Sequence, residues 1–181
     1  MSILETHLRP ATPEDAITIA AVAVQVFLDT YATEGVRPDL AAEAFAEYSV
    51  AAFFGRLAEP GRRFILAEQA RGLIGFAEIQ ITPVSAPVGA VVGAELVRLY
   101  VQPNFQRRGI GRRLLQAAEL AATAASLGHL WLTAWEGNGR ARSFYAARGY
   151  QDVGATSYSF QGNSYANRLF VKPVGLASSA A

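Results

Sequence analysis

The residues with the clearest chemical potential form one short loop, Gln-Arg-Arg-Gly-Ile-Gly at positions 106–111. An apolar run typical of a strand precedes it, and Pro103 stops that run because proline cannot donate to a sheet ladder. After the loop, apolar residues recur with helical spacing at Ile110, Leu114, Leu115, Ala118 and Ala122. A strand–loop–helix turn of this kind directs unpaired backbone N–H groups and the positive end of a helix dipole to one point. The pattern therefore predicts a site for an anion, most often a phosphate.

Glycines and arginines define what this loop can bind. Gly109 and Gly111 have no Cβ, so a ligand can approach the backbone closely. The flanking arginines add charge suited to phosphates; they are Arg107, Arg108, Arg112 and Arg113. The loop is neither a P-loop nor a dinucleotide fingerprint, since it lacks the Gly-Lys-Ser/Thr ending and Leu114 stands where a third glycine would fall. On these residues alone, a tight strand-to-helix turn with solvated arginines is an equal alternative.

A second constellation lies at residues 138–150, Asn-Gly-Arg-Ala-Arg-Ser-Phe-Tyr-Ala-Ala-Arg-Gly-Tyr. It predicts a short helix that Asn138 opens and Gly149 closes. Tyr145 follows Ala141 by four residues, so both project from one helix face. A phenol with a pKa of about 10 can donate a proton to a group of similar basicity. The alternative is structural, with Asn138 a helix cap and Tyr145 a half-buried aromatic.

Together these two stretches resemble the signatures of the GNAT superfamily of acyl-CoA-dependent N-acyltransferases. Residues 106–111 match its Gln/Arg-x-x-Gly-x-Gly/Ala motif, and residues 138–150 match Asn-x-x-Ala-x-x-Phe-Tyr-x-x-x-Gly-Phe/Tyr. The resemblance covers roughly residues 64–172. It implies an α/β fold: a mixed, mostly antiparallel twisted sheet of about six or seven strands, flanked by about four helices, with the cofactor cleft at splayed central strands. We expect a single domain over residues 1–174 and a frayed tail over 175–181.

The resemblance also implies which residues bind the cofactor, acetyl-CoA. The loop amides would hold the pyrophosphate, the strand backbone before the loop would meet the thioester, and the second motif would contact the pantetheine region and the sulfur. The residues implied are Leu99, Tyr100, Val101, Gln106, Arg107, Arg108, Gly109, Ile110, Gly111, Arg112, Asn138, Ala141 and Tyr145. Tyr145 is also the implied proton donor to the thiolate.

The reaction implied is acetyl transfer to a primary amine. A free amine has a pKa of about 10.4, so it reaches the enzyme protonated and needs a base. Glu95, eleven residues before Gln106, occupies the offset of the base glutamate in several members of the superfamily, and Glu136 is the reserve candidate. The chain has no cysteine, which excludes an acyl-cysteine intermediate and favours direct attack in a ternary complex. A non-catalytic acyl-CoA-binding module is the alternative function.

Hydrophobic periodicity predicts the elements that must position these residues. A first strand is expected over residues 4–9, then a helix from Thr12-Pro13 to about Tyr31 and a second helix from an Asp39 cap to Leu57. Further strands are expected over residues 63–69, 73–82, 95–101 and 129–135, with a loop over 83–93. Two last strands are expected between residues 150 and 174, joined near 161–163.

Composition excludes several other classes of function. Hydrophobic residues make up 51% of the 181, which argues against disorder, and no run is long and apolar enough for a membrane span. The net charge of +1 gives no general attraction to nucleic acid. No ligand-spaced partner accompanies His7 or His129, so no metal site is expected. A cytoplasmic protein is expected, and a homodimer is an open alternative to a monomer.

The acceptor is the least determined part of the prediction. Segments at 26–31, 96–101, 130–138 and 154–158 are similar to the bacterial polyamine N-acetyltransferase branch. That branch carries acidic residues between its last two strands, whereas residues 160–167 here are uncharged. Carboxylates in the first two helices could replace them: Asp29, Glu34, Asp39, Glu43 and Glu47. Substrate contacts are expected from Phe27, Tyr31, Glu34 and Trp135; polyamines, protein N-termini and amino-sugars all remain open.

Overall fold

The computed structural model describes residues 5–70 and 72–175 of the chain. Within these ranges the strands are β1 (Thr6–Pro10), β2 (Arg62–Gln69), β3 (Gly72–Ser85), β4 (Val92–Val101), β5 (His129–Trp135), β6 (Gln151–Phe160) and β7 (Asn163–Pro173). The α-helices are α1 (Ala16–Tyr31), α2 (Pro38–Glu47), α3 (Val50–Leu57), α4 (Ile110–Ala124) and α5 (Gly139–Ala146). No helix of the described residues is both long and apolar enough to cross a bilayer.

All seven strands belong to one sheet, in the order β1-β2-β3-β4-β5-β7-β6. β1 pairs antiparallel with β2, and β7 pairs antiparallel with both β5 and β6. β4 and β5 pair in parallel, as the crossover through α4 between them allows. This arrangement confirms the predicted mixed, mostly antiparallel sheet.

Three predictions about element boundaries are wrong. The second helix is two helices, because Ser49 has extended backbone (φ −68°, ψ 154°) and its side chain caps the Ala52 N–H at 3.2 Å, which starts α3 afresh. α2 begins at Pro38, and its cap residue is Arg37, two residues before the expected Asp39 cap. β3 also runs on to Ser85 and β4 starts at Val92, so the predicted loop over 83–93 is shorter than expected.

Packing groups the described residues into two compact units: those that fall within 1–78 and 98–117, and those that fall within 79–97 and 118–181. The single domain predicted over 1–174 stays a prediction. Of the predicted tail, residues 176–181 lie outside the described residues, as do Leu4 of the first predicted strand and Arg71 of the β2–β3 turn.

Aromatic side chains form the core of the first unit. Phe53 has no exposed area, and its ring meets Phe64 and Phe76 edge-on at centroid distances of 6.1 and 6.0 Å. Tyr48 extends the cluster to Phe27, with ring centroids 4.9 Å apart. Burying each such ring contributes about 1.5–3 kcal/mol to the free energy of folding.

A charged network lies beside this core in the first unit. Glu78 of β3 is fully buried, and its carboxylate accepts hydrogen bonds from Arg62 at 2.7 Å and Arg98 at 2.5 Å. Glu47 of α2 accepts from Arg98 and from Arg56. Burial is the largest single influence and lowers the pKa of Arg98, but Glu78, Tyr100, Tyr48 and Glu47 together outweigh burial, so the pKa of Arg98 is raised. The guanidinium therefore stays charged, as a buried carboxylate requires of its partner.

Register divides the sheet of the second unit into two faces, because directly paired residues of neighbouring strands point to the same side. We call one the helix face, since its residues contact α4 and α5; it carries Leu130, Leu132, Ala134, Phe170 and Lys172. We call the other the loop face; it carries Trp131, Thr133, Trp135, Asn167, Leu169 and Val171. Segment 84–91 covers part of the loop face, where Ala86 packs in one cluster with Trp131, Leu169 and Val171.

Candidate functional site

The predicted anion-binding loop has the geometry of a strand-to-helix turn. β4 ends at Val101, a 3-10 turn spans Pro103–Phe105, and α4 begins at Ile110. The Gln106 side chain donates to the Val101 carbonyl at 3.0 Å and so ties the loop to the strand end. At the start of α4, the Arg113 N–H donates a hydrogen bond to the Gly109 carbonyl at 3.1 Å. The amides of the first helical turn have no partner inside the helix and remain available to a ligand.

Two residues give the loop its shape. Arg107 and Gly109 both have left-handed backbone, with φ of 60° and 79°. A Cβ built on Gly109 would meet no atom within 4 Å, so the space over its backbone is open. Glycine adopts this φ without strain, and its missing side chain leaves that open space to a ligand.

The arginines around the loop differ in what they contact. Arg113 donates to the Thr6 carbonyl at 3.0 Å, and Arg108 lies over the Phe105 ring at 5.3 Å. Arg107 and Arg112 are exposed. Arg107 and Arg112 are therefore the side chains that can turn toward an anion at no cost in internal contacts.

The helix that follows is anchored as its periodicity predicts. The residues on its predicted apolar face are all buried: Ile110, Leu114, Leu115, Ala118 and Ala122. Burial of this face sets the direction of α4, and with it the direction in which the helix N-terminus and the loop amides point.

The strand end before the loop is tightly held within the first unit. The Tyr100 hydroxyl pairs with that of Tyr48 at 3.2 Å, and its ring meets Phe76 edge-on at 5.5 Å. Burial raises the pKa of Tyr100, so this hydroxyl stays protonated. The predicted role of the Leu99–Val101 backbone toward a thioester carbonyl stays a prediction.

The second motif forms α5, and both of its key residues are fixed by packing. Asn138 caps the helix, its Oδ1 accepting from the Ala141 N–H at 3.0 Å. Tyr145 is buried, with 8% of its area exposed, and its ring packs on Tyr150 and Phe170 at 5.8 and 6.0 Å. The cap leaves the Asn138 amide nitrogen as the group that can meet a cofactor.

Tyr145 and Glu95 belong to opposite faces of the sheet in the second unit. Tyr145 contacts Phe170 on the helix face. Glu95 pairs in register with Trp131, so its side chain is on the loop face, and it is partly exposed. The parallel β4–β5 register consists of this pair and the Ala94–Leu130 pair. The predicted proton acceptor, Glu95, and the predicted proton donor, Tyr145, thus lie on opposite sides of the sheet near the point where the β4–β5 register ends.

The reserve base, Glu136, lies just after β5. Its backbone N–H donates to the Ala166 carbonyl at 2.8 Å, and its carbonyl accepts from Arg142 at 3.2 Å. Its side chain is exposed. Both glutamates therefore remain candidates for the base.

The predicted substrate residues occur in different settings. In the first unit, Phe27 is buried with its ring 5.0 Å from that of Tyr31, and Glu34 is exposed in the turn after α1. In the second unit, Trp135 ends β5 on the loop face, beside Asn167 of β7. Sequence reasoning missed Asn167, a buried amide on this face, because only strand register places it there.

Comparisons with known proteins agree with this architecture. The sequence profile of the acetyltransferase (GNAT) family matches residues 26–150. An uncharacterised N-acetyltransferase of Mycobacterium tuberculosis is 30% identical over 80% of this chain and 88% of its own length, and one of Lactobacillus delbrueckii is 28% identical over 75% and 79%. The crystal structure of the PaiA N-acetyltransferase of Thermoplasma acidophilum in complex with coenzyme A superposes with a TM-score of 0.77 at 22% identity, over 94% of this chain and 99% of that one. The chain belongs to the GNAT family of acetyltransferases.

Proposed function

We propose that this acetyltransferase moves the acetyl group of acetyl-CoA to a primary amine by direct attack within a ternary complex. The observation that supports this most directly is the placement of Glu95 and Tyr145 on opposite faces of the second unit's sheet. Direct transfer needs a base on the acceptor side and an acid on the thiol side at once, and a module that only binds acyl-CoA needs neither.

Each step has a residue suited to it. Glu95, directly or through one water, accepts a proton from the amine, and the amine nitrogen attacks the thioester carbon. A backbone N–H of Leu99–Val101 stabilises the oxyanion that forms. The oxyanion then re-forms the carbonyl as the C–S bond breaks, and the Tyr145 hydroxyl protonates the leaving thiolate. The new amide nitrogen loses its second proton, and a proton from solvent restores the phenol. The chain has no cysteine to carry the acetyl group, which excludes an acyl-cysteine intermediate and favours direct attack.

Acetyl-CoA fits the residues predicted to hold it. The open space over Gly109 and the free amides at the start of α4 suit the pyrophosphate, and the exposed Arg107 and Arg112 add charge to that end. The Thermoplasma relative with the same fold was crystallised with coenzyme A, which is consistent with this assignment. The second motif would contact the pantetheine arm through Asn138.

The acceptor we propose is a small primary amine or a peptide N-terminus. A polyamine acceptor, which the resemblance to the polyamine branch suggested, remains a hypothesis. The acidic residues of the first unit that were expected to bind it give it little support. Glu47 is engaged by two arginines and Asp39 by Arg37, so these carboxylates are already neutralised. Asp29 and Glu34 are the exposed acids left from the predicted cluster. Cytoplasmic location and a possible homodimer stay predictions.

The test is a thiol-release assay with acetyl-CoA and a panel of amines, comparing the parent with Tyr145→Phe. Loss of a general acid lowers kcat by roughly 10²–10⁴-fold, while acetyl-CoA affinity should stay near the parent value. Tyr150→Phe is the matched control: it removes the hydroxyl that donates to Glu119 at 3.1 Å, so it should lower stability and leave kcat unchanged. Full turnover by Tyr145→Phe would rule out the acid role. Tight acetyl-CoA binding with no turnover on any amine would favour the binding module.

A further inference from the structure

Asn167 of β7 carries a buried polar atom that nothing in the described residues pairs with. Its side chain is buried, with 7% exposed, and its Nδ2 donates to Thr133 Oγ1 over a long 3.4 Å. Its Oδ1 has no hydrogen-bond partner among the described residues. Folded proteins pair the large majority of such atoms, and a buried amide oxygen left unpaired destabilises the fold. The unpaired Oδ1 of Asn167 is therefore a candidate acceptor for a hydrogen bond from a ligand.

The amide lies where the loop face is open. Thr133, its neighbour on that face, is exposed, and it lies two residues beyond Trp131, where the β4–β5 register ends, so its registered partner is Leu169 of β7. Segment 84–91 covers the face at Trp131 but not at Thr133. The exposure of Thr133 marks an opening on the loop face beyond the end of the β4–β5 register. Asn167 therefore borders an opening on the same face as Glu95.

Asn167 is too far from Glu95 to bind the same functional group. The register places Glu95 beside Trp131 and Asn167 beside Trp135, four residues further along β5 and on its other side. With about 3.3 Å per residue and about 4.8 Å per strand, the two Cα atoms are roughly 16 Å apart. One amine cannot reach both side chains. Asn167 would instead accept a hydrogen bond from a second N–H group of the acceptor, on the order of 10 Å from the reacting amine.

The side chains of β5, β6 and β7 that share the loop face with Asn167 around it are neutral, and several are aromatic. In register it lies between Trp135 of β5 and Thr156 of β6. Two residues away on the same face, Tyr165 stacks on Phe160 with ring centroids 4.7 Å apart and planes 6° from parallel. The nearest charged residues of β6 and β7, Asp152 and Arg168, pair with each other at 2.8 Å, and Arg168 is on the helix face. Such a surface suits a neutral N–H donor, such as a peptide amide, better than a second ammonium group.

We propose that Asn167 is a specificity-determining residue whose Oδ1 accepts a hydrogen bond from a backbone amide N–H of a peptide-like acceptor, a few residues from the amine that is acetylated. This proposal rests on the acetyl transfer proposed above and adds the class of acceptor. Trp135 and Tyr165 form the apolar walls along the acceptor chain.

The test pairs a protein substitution with a substrate substitution. Parent and Asn167→Leu are assayed on an alanine tetrapeptide amide and on analogues in which one amide nitrogen at a time is methylated. With the parent, methylation at one position should lower kcat/KM by about 10- to 100-fold, because it leaves the buried Oδ1 unpaired. With Asn167→Leu the unmethylated peptide should show a similar loss, and methylation should add little to it, since both changes remove one hydrogen bond.

Stability separates this role from a structural one. Leucine replaces an unpaired polar atom by an apolar group of similar size, so Asn167→Leu should melt at or above the temperature of the parent while its activity falls. Asn163→Leu, an exposed residue of the same strand, is the matched control and should keep parent-like kcat/KM. Lower stability with unchanged kcat/KM in Asn167→Leu, or equal sensitivity to methylation in both proteins, would overturn the proposal.

A comparison of three acceptors distinguishes a failure of this inference from a failure of the proposed acetyl transfer. If the parent acetylates spermidine and ignores the tetrapeptide, the peptide-like acceptor is wrong while acetyl transfer stands. If it acetylates butylamine, which has no second N–H group, as efficiently as the tetrapeptide, the role of Asn167 is wrong. If it acetylates none of the three while binding acetyl-CoA, the proposed function fails and this inference fails with it.

Discussion

Replacing Gly137 with alanine would place a methyl group in the space that the Trp135 indole occupies. A Cβ on Gly137 would be 2.7 Å from both Cε2 and Cη2 of that ring and nearer still to Cζ2. Carbon atoms in contact are normally about 3.5–4.0 Å apart, so the indole would have to move by about 1 Å. Overpacking of this kind costs about 1–3 kcal/mol in the free energy of unfolding. For a chain of this length, that cost corresponds to a fall in Tm of about 2–12 °C.

The indole is also a wall of the proposed acceptor site, so its displacement should affect turnover. A shift of about 1 Å in a positioning group can lower kcat/KM for the acceptor by roughly 10- to 100-fold. Acetyl-CoA affinity should stay near the parent value, because neither the loop at 106–111 nor Asn138 is changed. Thermal unfolding, acceptor kinetics and calorimetric titration with acetyl-CoA measure the three quantities separately.

Gly139→Ala is the matched control. Gly139 lies two residues further along, at the first position of α5, and a Cβ there would meet nothing within 4 Å. Alanine at a compatible helical position stabilises by about 0.4–1 kcal/mol, so this variant should melt at or slightly above the parent temperature and keep parent activity. Gly137→Ala could instead have the same Tm as Gly139→Ala and the acceptor kcat/KM of the parent. That result would show that the space beside Gly137 does not constrain the Trp135 ring, and it would refute the reasoning.

Three further predictions concern the cofactor, the base and the response to acid. Gly109→Val should abolish measurable acetyl-CoA binding by calorimetry. Gly162→Val is the control: Gly162 has nearly the same φ (78° against 79°) and equally open space, so this variant should suffer the same backbone strain and keep its affinity. Equal losses of acetyl-CoA affinity in the two variants would mean that backbone strain causes the effect. Glu95→Gln should lower kcat most at neutral pH and recover in part at high pH, where more amine is free, and a pH–rate profile parallel to the parent's would make Glu95 structural. Two hydrogen bonds from Arg9 lower the pKa of Asp15 to about 2, so the stability from this pair is present above the usual pKa of about 4 and is lost as pH falls toward 2. Urea unfolding of Asp15→Asn should show a shallower acid limb than the parent, and superimposable limbs would contradict the assignment.

Local patterns predicted the elements that carry the two motifs. The spacing of Leu114, Ala118 and Ala122 required one buried helix face, and the structure buries all three. Asn138 was expected to open a helix, and its side chain does cap α5. Both predictions succeed because helix period and capping depend on residues within one or two turns of each other.

Boundaries set by long-range packing were predicted less well. The extension of β3 to Ser85 follows from contacts with β5: the Val84 carbonyl accepts from the Trp131 indole N–H at 3.1 Å. The break between α2 and α3 at Ser49 was hidden because apolar residues recur with helical spacing on both sides of it. The prolines in the predicted loop over 83–93 argued for irregular structure, and partners 47 residues away in sequence outweighed them.

The sequence by itself determined which chemical groups are available to this protein: a loop with glycine where φ is positive, a helix start behind it, and a glutamate and a tyrosine predicted to transfer protons. Only the tertiary structure decided on which face each group acts. Side chains alternate along a strand, so a register shift of one residue would exchange the faces of Trp131 and Leu130. The side chains that lie beside Glu95 on its face of the sheet would change as well. Register joins residues far apart in sequence, as Trp135 and Asn167 show, and it is chosen by burial of the whole sheet rather than by any segment alone.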